Sequence, residues 1–117
     1  MLKDLIVFGK AYELLKWCHL AAARFPKAEK FVLAQRLGNA ALDFLEAVIE
    51  ANESVDKAAP LGRAVLALEK LRIWLRLAFE LRYIALRQYE HGCKLGDEAG
   101  RLLGGWSKRF GGAKTRC

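Results

Sequence analysis

The stretch PLGRAVLALEKLRIWLRLAFELRYIALR, residues 60–87, says most about how this chain folds. On a helical wheel its apolar side chains cover most of the circumference. Leu66, Ile73, Leu77 and Ile84 form one row, Trp74, Leu81 and Ala78 a second, and Leu68, Leu71, Leu75, Phe79 and Leu86 a third. Only a narrow stripe stays polar, holding Glu69, Arg72, Arg76, Glu80, Tyr83 and Arg87. A helix apolar nearly all round is covered on more than one side. In so short a chain this predicts a second apolar neighbour from another subunit, with a central helix in a monomer core as the alternative.

The segment before it reads as two more helices. The first is predicted from about Lys3 to Ala23, with Tyr12, Leu15 and His19 on its apolar side. Phe25-Pro26 breaks it, because proline disfavours helical geometry in the residue before it and suits the start of the next helix. The second helix is predicted from about Pro26 to Glu53. Phe31, Ala34, Leu37, Ala41, Leu45, Val48 and Ile49 make its apolar face. Asn52 to Pro60 reads as a loop, with the third helix starting between Asp56 and Pro60.

No Gly or Pro separates the third helix from a fourth. One helix from Pro60 to Leu103 would span on the order of 65 Å at 1.5 Å per residue, too long for a compact domain of this size. A turn is therefore placed near Ala85–Tyr89. Gly92, Gly96, Gly100 and Gly104 then recur every four residues and predict a flat face where another backbone comes close. Gly104-Gly105 is expected to end the fourth helix, at about Trp106. The reading is all-α: an antiparallel four-helix bundle over residues 1–107 and a basic flexible tail over 108–117.

At 117 residues the chain fits one domain. Its hydrophobic fraction of 54% and charged fraction of 28% suit long amphipathic helices and exclude a disordered chain. The net charge of +7 favours an anionic partner. Five of the basic residues, Arg101, Lys108, Arg109, Lys114 and Arg116, fall after residue 100 with no acid among them, which leaves +2 for residues 1–100. Cys18, Cys93 and Cys117 are far apart, which argues against a disulfide framework or a zinc site and favours a reducing, cytoplasmic compartment. Lys10, Glu13 and Lys16 interrupt the first apolar run, so neither a signal peptide nor a membrane span is predicted.

Nothing in the chain reads as catalytic. No nucleotide-binding, zinc-protease or nucleophile-elbow motif occurs. His19 reads as a core or interface residue, and His91 has no ligand partner at metal spacing. Asp97 and Glu98 are adjacent, so they point to different sides of a helix and form no acid–base pair. Arg87 and His91 stand too close for the Arg…His pair of helical-bundle ribonucleases. No cofactor and no metal are expected.

The basic residues are the functional candidates. Arg24, Lys27, Lys30 and Arg36 cluster at the first turn, while Arg72, Arg76 and Arg87 share the open stripe of the third helix. Arg101 and Lys108 extend the basic surface towards the C-terminus. Local pairing of Arg72 and Arg76 with Glu69 and Glu80 is the competing structural reading. Aromatics do not interleave these cations, so phosphate contact is expected rather than base reading.

Arg24-Phe25-Pro26-Lys27, Glu29-Lys30-Phe31 and Leu33-Ala34-Gln35-Arg36 resemble the first-turn signature of the accessory variability determinant (Avd) proteins of diversity-generating retroelements. Leu68-Glu69-Lys70-Leu71-Arg72 and Leu75-Arg76-Leu77-Ala78 look like that family's third helix. Gln88-Tyr89-Glu90, Asp97-Glu98 and Gly100-Arg101-Leu102-Leu103-Gly104-Gly105-Trp106 look like its fourth. The likeness covers about residues 5–108. It implies a four-helix bundle assembled as a barrel-like homopentamer with a basic surface. It also implies a non-catalytic accessory of a reverse transcriptase that binds RNA or DNA. In such systems cDNA copied from a template-repeat RNA acquires adenine-directed mutations and replaces a variable gene region. The family is similar to the four-helix-bundle proteins of ribosomal RNA intervening sequences, which supply the alternative reading, a structural oligomer. Ala85, where the family carries a turn-favouring polar residue, and the basic tail depart from the pattern.

Overall fold

A computed structural model describes residues 5–109. It contains α1 (Ile6–Ala22), a single 3-10 turn (Lys27–Glu29), α2 (Leu33–Glu53), α3 (Ala58–Glu80) and α4 (Leu86–Arg109). Short connections force consecutive helices to run antiparallel. α2 packs between α1 and α3, and α4 closes the bundle against α1 and α3. The bundle measures 42 × 23 × 22 Å.

The buried seam of α1 is Val7, Ala11, Leu14, Cys18 and Ala21. This corrects the expected face, since Tyr12 and His19 are exposed and Leu15 is half-buried. The two stripes lie one residue apart, about 100° round the helix. The winning stripe carries no hydroxyl and no imidazole, so its burial leaves no side-chain hydroxyl or ring nitrogen to desolvate.

The second helix starts later than its periodicity suggests. Pro26 opens the 3-10 turn, and the backbone breaks again at Val32, with φ −117° and ψ −96°. α2 then begins at Leu33 and buries Leu33, Leu37, Ala40, Ala41, Phe44, Ala47, Val48 and Ala51. Because Phe31 precedes the break, it is off the helical face and 77% exposed, not in the core.

Charge closes the far end of α2. The Lys57 ammonium donates to the carbonyls of Ala51 at 2.7 Å and Ser54 at 2.9 Å, near the negative end of the helix dipole. α3 starts at Ala58, within the expected window. It buries Pro60, Leu61, Ala64, Ala67, Leu68, Leu71, Leu75 and Ala78. Leu66, Ile73 and Leu77 stay on its exposed side, and Leu81, just past its end, is exposed as well.

The turn into α4 comes earlier than Ala85–Tyr89 and occupies Leu81 to Ala85. Arg82 adopts the left-handed conformation, φ 67°. Its N–H donates to Phe79 O, and the Tyr83 N–H donates to Ala78 O, the paired bonds of a Schellman cap. Glycine usually takes this position; an arginine here leaves no mark in the sequence. Gln88 Oε1 accepts the Ala85 N–H at 2.9 Å, which starts α4.

Two expectations about α4 are corrected. Gly104-Gly105 does not end the helix, which continues to Arg109 with Trp106 and Ser107 buried beyond the pair. The tail expected over 108–117 therefore begins inside the helix, and residues 110–117 lie outside the described ones. Within the chain, side chains and not a backbone come closest to Gly92, Gly96 and Gly100. A Cβ at Gly92 would meet the Trp17 ring at 2.6 Å and Leu75 at 2.9 Å. At Gly96 and Gly100 the neighbour is the Arg72 side chain. These glycines seat large side chains from α1 and α3.

Candidate nucleic-acid interface

The two turns at one end of the bundle are tied together. The Phe25 ring lies 5.5 Å from that of Tyr83 between centroids. The Tyr83 hydroxyl donates to Glu29 Oε2 at 2.7 Å, and the Leu33 N–H reaches Glu29 Oε1 at 3.4 Å. The bond to Glu29 is the main reason the Tyr83 phenol titrates above its ordinary range. Glu29 is the only acid between residues 23 and 36, and it is engaged.

Around this tie stand cations from both turns. Arg24, Lys27, Lys30 and Arg36 are all exposed, as expected from the first-turn cluster. Arg87 joins them from the first turn of α4, not from the α3 stripe where its spacing placed it. Arg82, held outward by the left-handed cap, is a further exposed cation that sequence reasoning missed. Phe31 was missed too: an exposed aromatic does stand among these cations, with Lys30 Nζ 5.5 Å from its ring centre. Neither carries a local sequence signal, because both depend on backbone breaks that no Gly marks.

The charge is polarised along α2. Arg36 sits in its first turn, while Asp43, Glu46, Glu50 and Glu53 follow, all exposed, towards the opposite end. Glu50 pairs with Arg63 of α3.

The remaining candidates behave differently from one another. Arg76 pairs with Glu80 at 2.9 Å, the local i,i+4 pair anticipated as the structural alternative. Arg72 ignores Glu69 and crosses to Asp97 Oδ1 of α4 at 2.7 Å, its side chain only 28% exposed. It is a clamp between helices. Arg101 and Lys108 are exposed on the rim of a groove of about 640 Å³ between α3 and α4, floored by Val65, Leu68 and Leu103. Glu69 and Asp97 share that rim, so its charge is mixed.

Acid–base groups are likewise committed to packing. Asp97 faces α3 through Arg72, and Glu98 faces α1 through Lys10 at 3.0 Å. Lys10 also bonds Glu13 at 3.0 Å, so these carboxylates raise its pKa, while its bond to Glu98 lowers that of Glu98. Burial pushes the Cys18 thiol up to about 12. His91 is exposed, 6.2 Å from the Trp17 ring between centroids. Among the described residues no group of three or more His, Cys, Asp or Glu is placed to hold a metal ion, and no helix is long and apolar enough to cross a membrane.

Among the described residues, two extended apolar surfaces stand out as uncovered. One is a groove of about 540 Å³ between α1 and α2, lined by Tyr12, Leu15, His19, Leu20, Gly38 and Leu42 among others. The other is the outer stripe of α3, Leu66, Ile73 and Leu77, with Leu81 beyond it. The acidic ridge of α2 separates them.

Compared with known proteins, residues 5–110 match the family model described as bAvd-like. No curated protein matches the chain.

Proposed function

The chain belongs to the bAvd-like family, and we propose that it is a non-catalytic, cytoplasmic accessory protein of a diversity-generating retroelement. It binds the element's reverse transcriptase and RNA or DNA, and so supports mutagenic reverse transcription. The observation that carries the nucleic-acid reading is the basic end of the bundle. Arg24, Lys27, Lys30, Arg36, Arg82 and Arg87 are exposed there, and the acid among the first-turn cations is bound to Tyr83. Such a surface draws phosphates regardless of sequence and offers a polymerase with bound template the same docking field. Arg101 and Lys108 supply a second, weaker edge. Arg72, engaged with Asp97, contributes to stability more than to binding.

The two uncovered apolar surfaces support an assembly of several copies. The α3 stripe of one copy seats in the α1–α2 groove of the next. Repetition of this head-to-tail contact gives a closed ring where the rotation between successive copies closes, and an open filament where it does not. A homopentamer, as the Avd resemblance implies, repeats the basic end five times.

The test is affinity for an arbitrary single-stranded RNA as a function of salt, with residues 110–117 removed. Salt-sensitive binding is expected to persist. Changing Lys27 and Lys30 to Gln should weaken it similarly for all sequences and flatten the slope of log K against log[salt] by about 0.7 per lost contact. Absence of salt-sensitive binding would overturn the reading and favour a purely structural oligomer of the ribosomal intervening-sequence kind.

A further inference from the structure

Phe31 is the most exposed aromatic side chain among the described residues, and no core packing explains it. An isolated surface phenylalanine means little. This one is placed by a backbone break at Val32, is followed by a second exposed apolar residue, Val32 itself, has the Lys30 ammonium 5.5 Å from its ring centre, and belongs to the same turn region as the exposed Arg24, Lys27 and Arg36. The carboxylate nearest in sequence, Glu29, is turned inward onto Tyr83. A purely apolar partner would gain nothing from the surrounding cations, and a simple polyanion would gain nothing from the exposed aromatic ring.

We propose that Phe31 is a base-stacking platform for single-stranded nucleic acid, with the surrounding cations holding the phosphates on either side of the stacked base. The proposal rests on the nucleic-acid reading above and narrows it from any phosphate backbone to an unpaired strand. Every base has a π-face, so stacking on an aromatic ring is tolerant of sequence. In a duplex those faces are occupied by neighbouring bases, and the ring finds nothing to stack on. The Lys30 ammonium already lies over the ring at 5.5 Å. A strand lying across Phe31 would bring its phosphates within reach of that ammonium.

The experiment compares the full chain with F31A, F31W and a Lys27→Gln/Lys30→Gln double variant. Each is titrated with labelled oligo(dT) and with a mixed-sequence duplex of the same length, at two salt concentrations. Because Phe31 is exposed, circular dichroism melting of F31A should match that of the parent. F31A is expected to lose about 5- to 150-fold in oligo(dT) affinity. Its salt slope and duplex affinity should stay near those of the parent, and F31W should restore strand binding. The lysine variant should weaken both ligands and lower the slope. Equal loss of strand and duplex binding in F31A, or no loss of either, overturns the stacking role. So does an F31A protein that binds oligo(dT) normally but no longer captures a reverse transcriptase, which would make Phe31 a protein anchor. If the parent binds neither ligand, the broader nucleic-acid reading falls with it.

Discussion

The two long edges of α3 carry the same kind of residue and meet opposite fates. Along the inner edge Leu61, Leu68, Leu71 and Leu75 are sealed against the rest of the bundle. Along the outer edge Leu66, Ile73 and Leu77 are 55%, 57% and 38% exposed. Hydrophobicity sets how much surface a helix needs to hide. The neighbours available within one chain set which part of it is hidden, and the rest stays exposed.

One truncation on each edge puts this contrast at risk. Leu71→Ala opens a cavity in a fully buried position and should lower the free energy of unfolding by about 2–5 kcal/mol. Ile73→Ala, measured by urea unfolding at the lowest workable concentration, should stay within about 0.5 kcal/mol of the parent. Light scattering should show Ile73→Asp shifted towards monomer with its helical spectrum intact. If Ile73→Ala costs as much as Leu71→Ala at high dilution, the outer stripe is covered within the single folded chain.

A smaller effect probes what closes the inner edge. Gly92 sits beneath Trp17 and Leu75, so Gly92→Ala forces a ring aside and should destabilise by about 1–3 kcal/mol. Gly105 has nothing within 4 Å of an added Cβ, and Gly105→Ala should stabilise by about 0.5–1 kcal/mol through helix propensity alone. Thermal melting separates the two by sign. Equal signs would mean that the glycines of α4 act only through backbone entropy.

An effect of similar size to that at Gly105 is expected at the cap that ends both edges. Arg82 is exposed and holds a left-handed backbone that glycine adopts freely. Arg82→Gly should raise stability by roughly 0.5–1 kcal/mol, read as a rise of a few degrees in Tm. The same change should weaken nucleic-acid binding if Arg82 belongs to the basic end. Loss of stability would show that the arginine side chain, not its backbone, secures the turn.

Much of the candidate site is legible in the sequence. Arg24, Lys27, Lys30 and Arg36 fall around one proline-broken turn, and a turn puts charged side chains into water. The role of Arg72 is not legible there, because its partner Asp97 lies on another helix and the nearer Glu69 offers an obvious mate. Phe31 reads as core by its three-residue spacing to Ala34. That spacing has meaning only if the helix is continuous, and the Val32 break interrupts it. The third turn lies ahead of its expected place for a similar reason, since an arginine in the left-handed cap looks like any helical residue.

Helix number, the antiparallel order and the presence of unsatisfied apolar surface on α3 were set by the sequence itself. Each follows from periodicity, proline and chain length, which act locally or through simple geometry. Tertiary structure alone decided which of two adjacent stripes of α1 is buried and which glycines seat Trp17 and Arg72. It also decided that Phe31 stands among cations. Those outcomes depend on competition between surfaces brought together from distant parts of the chain. Stripes one residue apart differ little in hydrophobicity, so what settles the competition is which fits the facing helix without stranding a polar group.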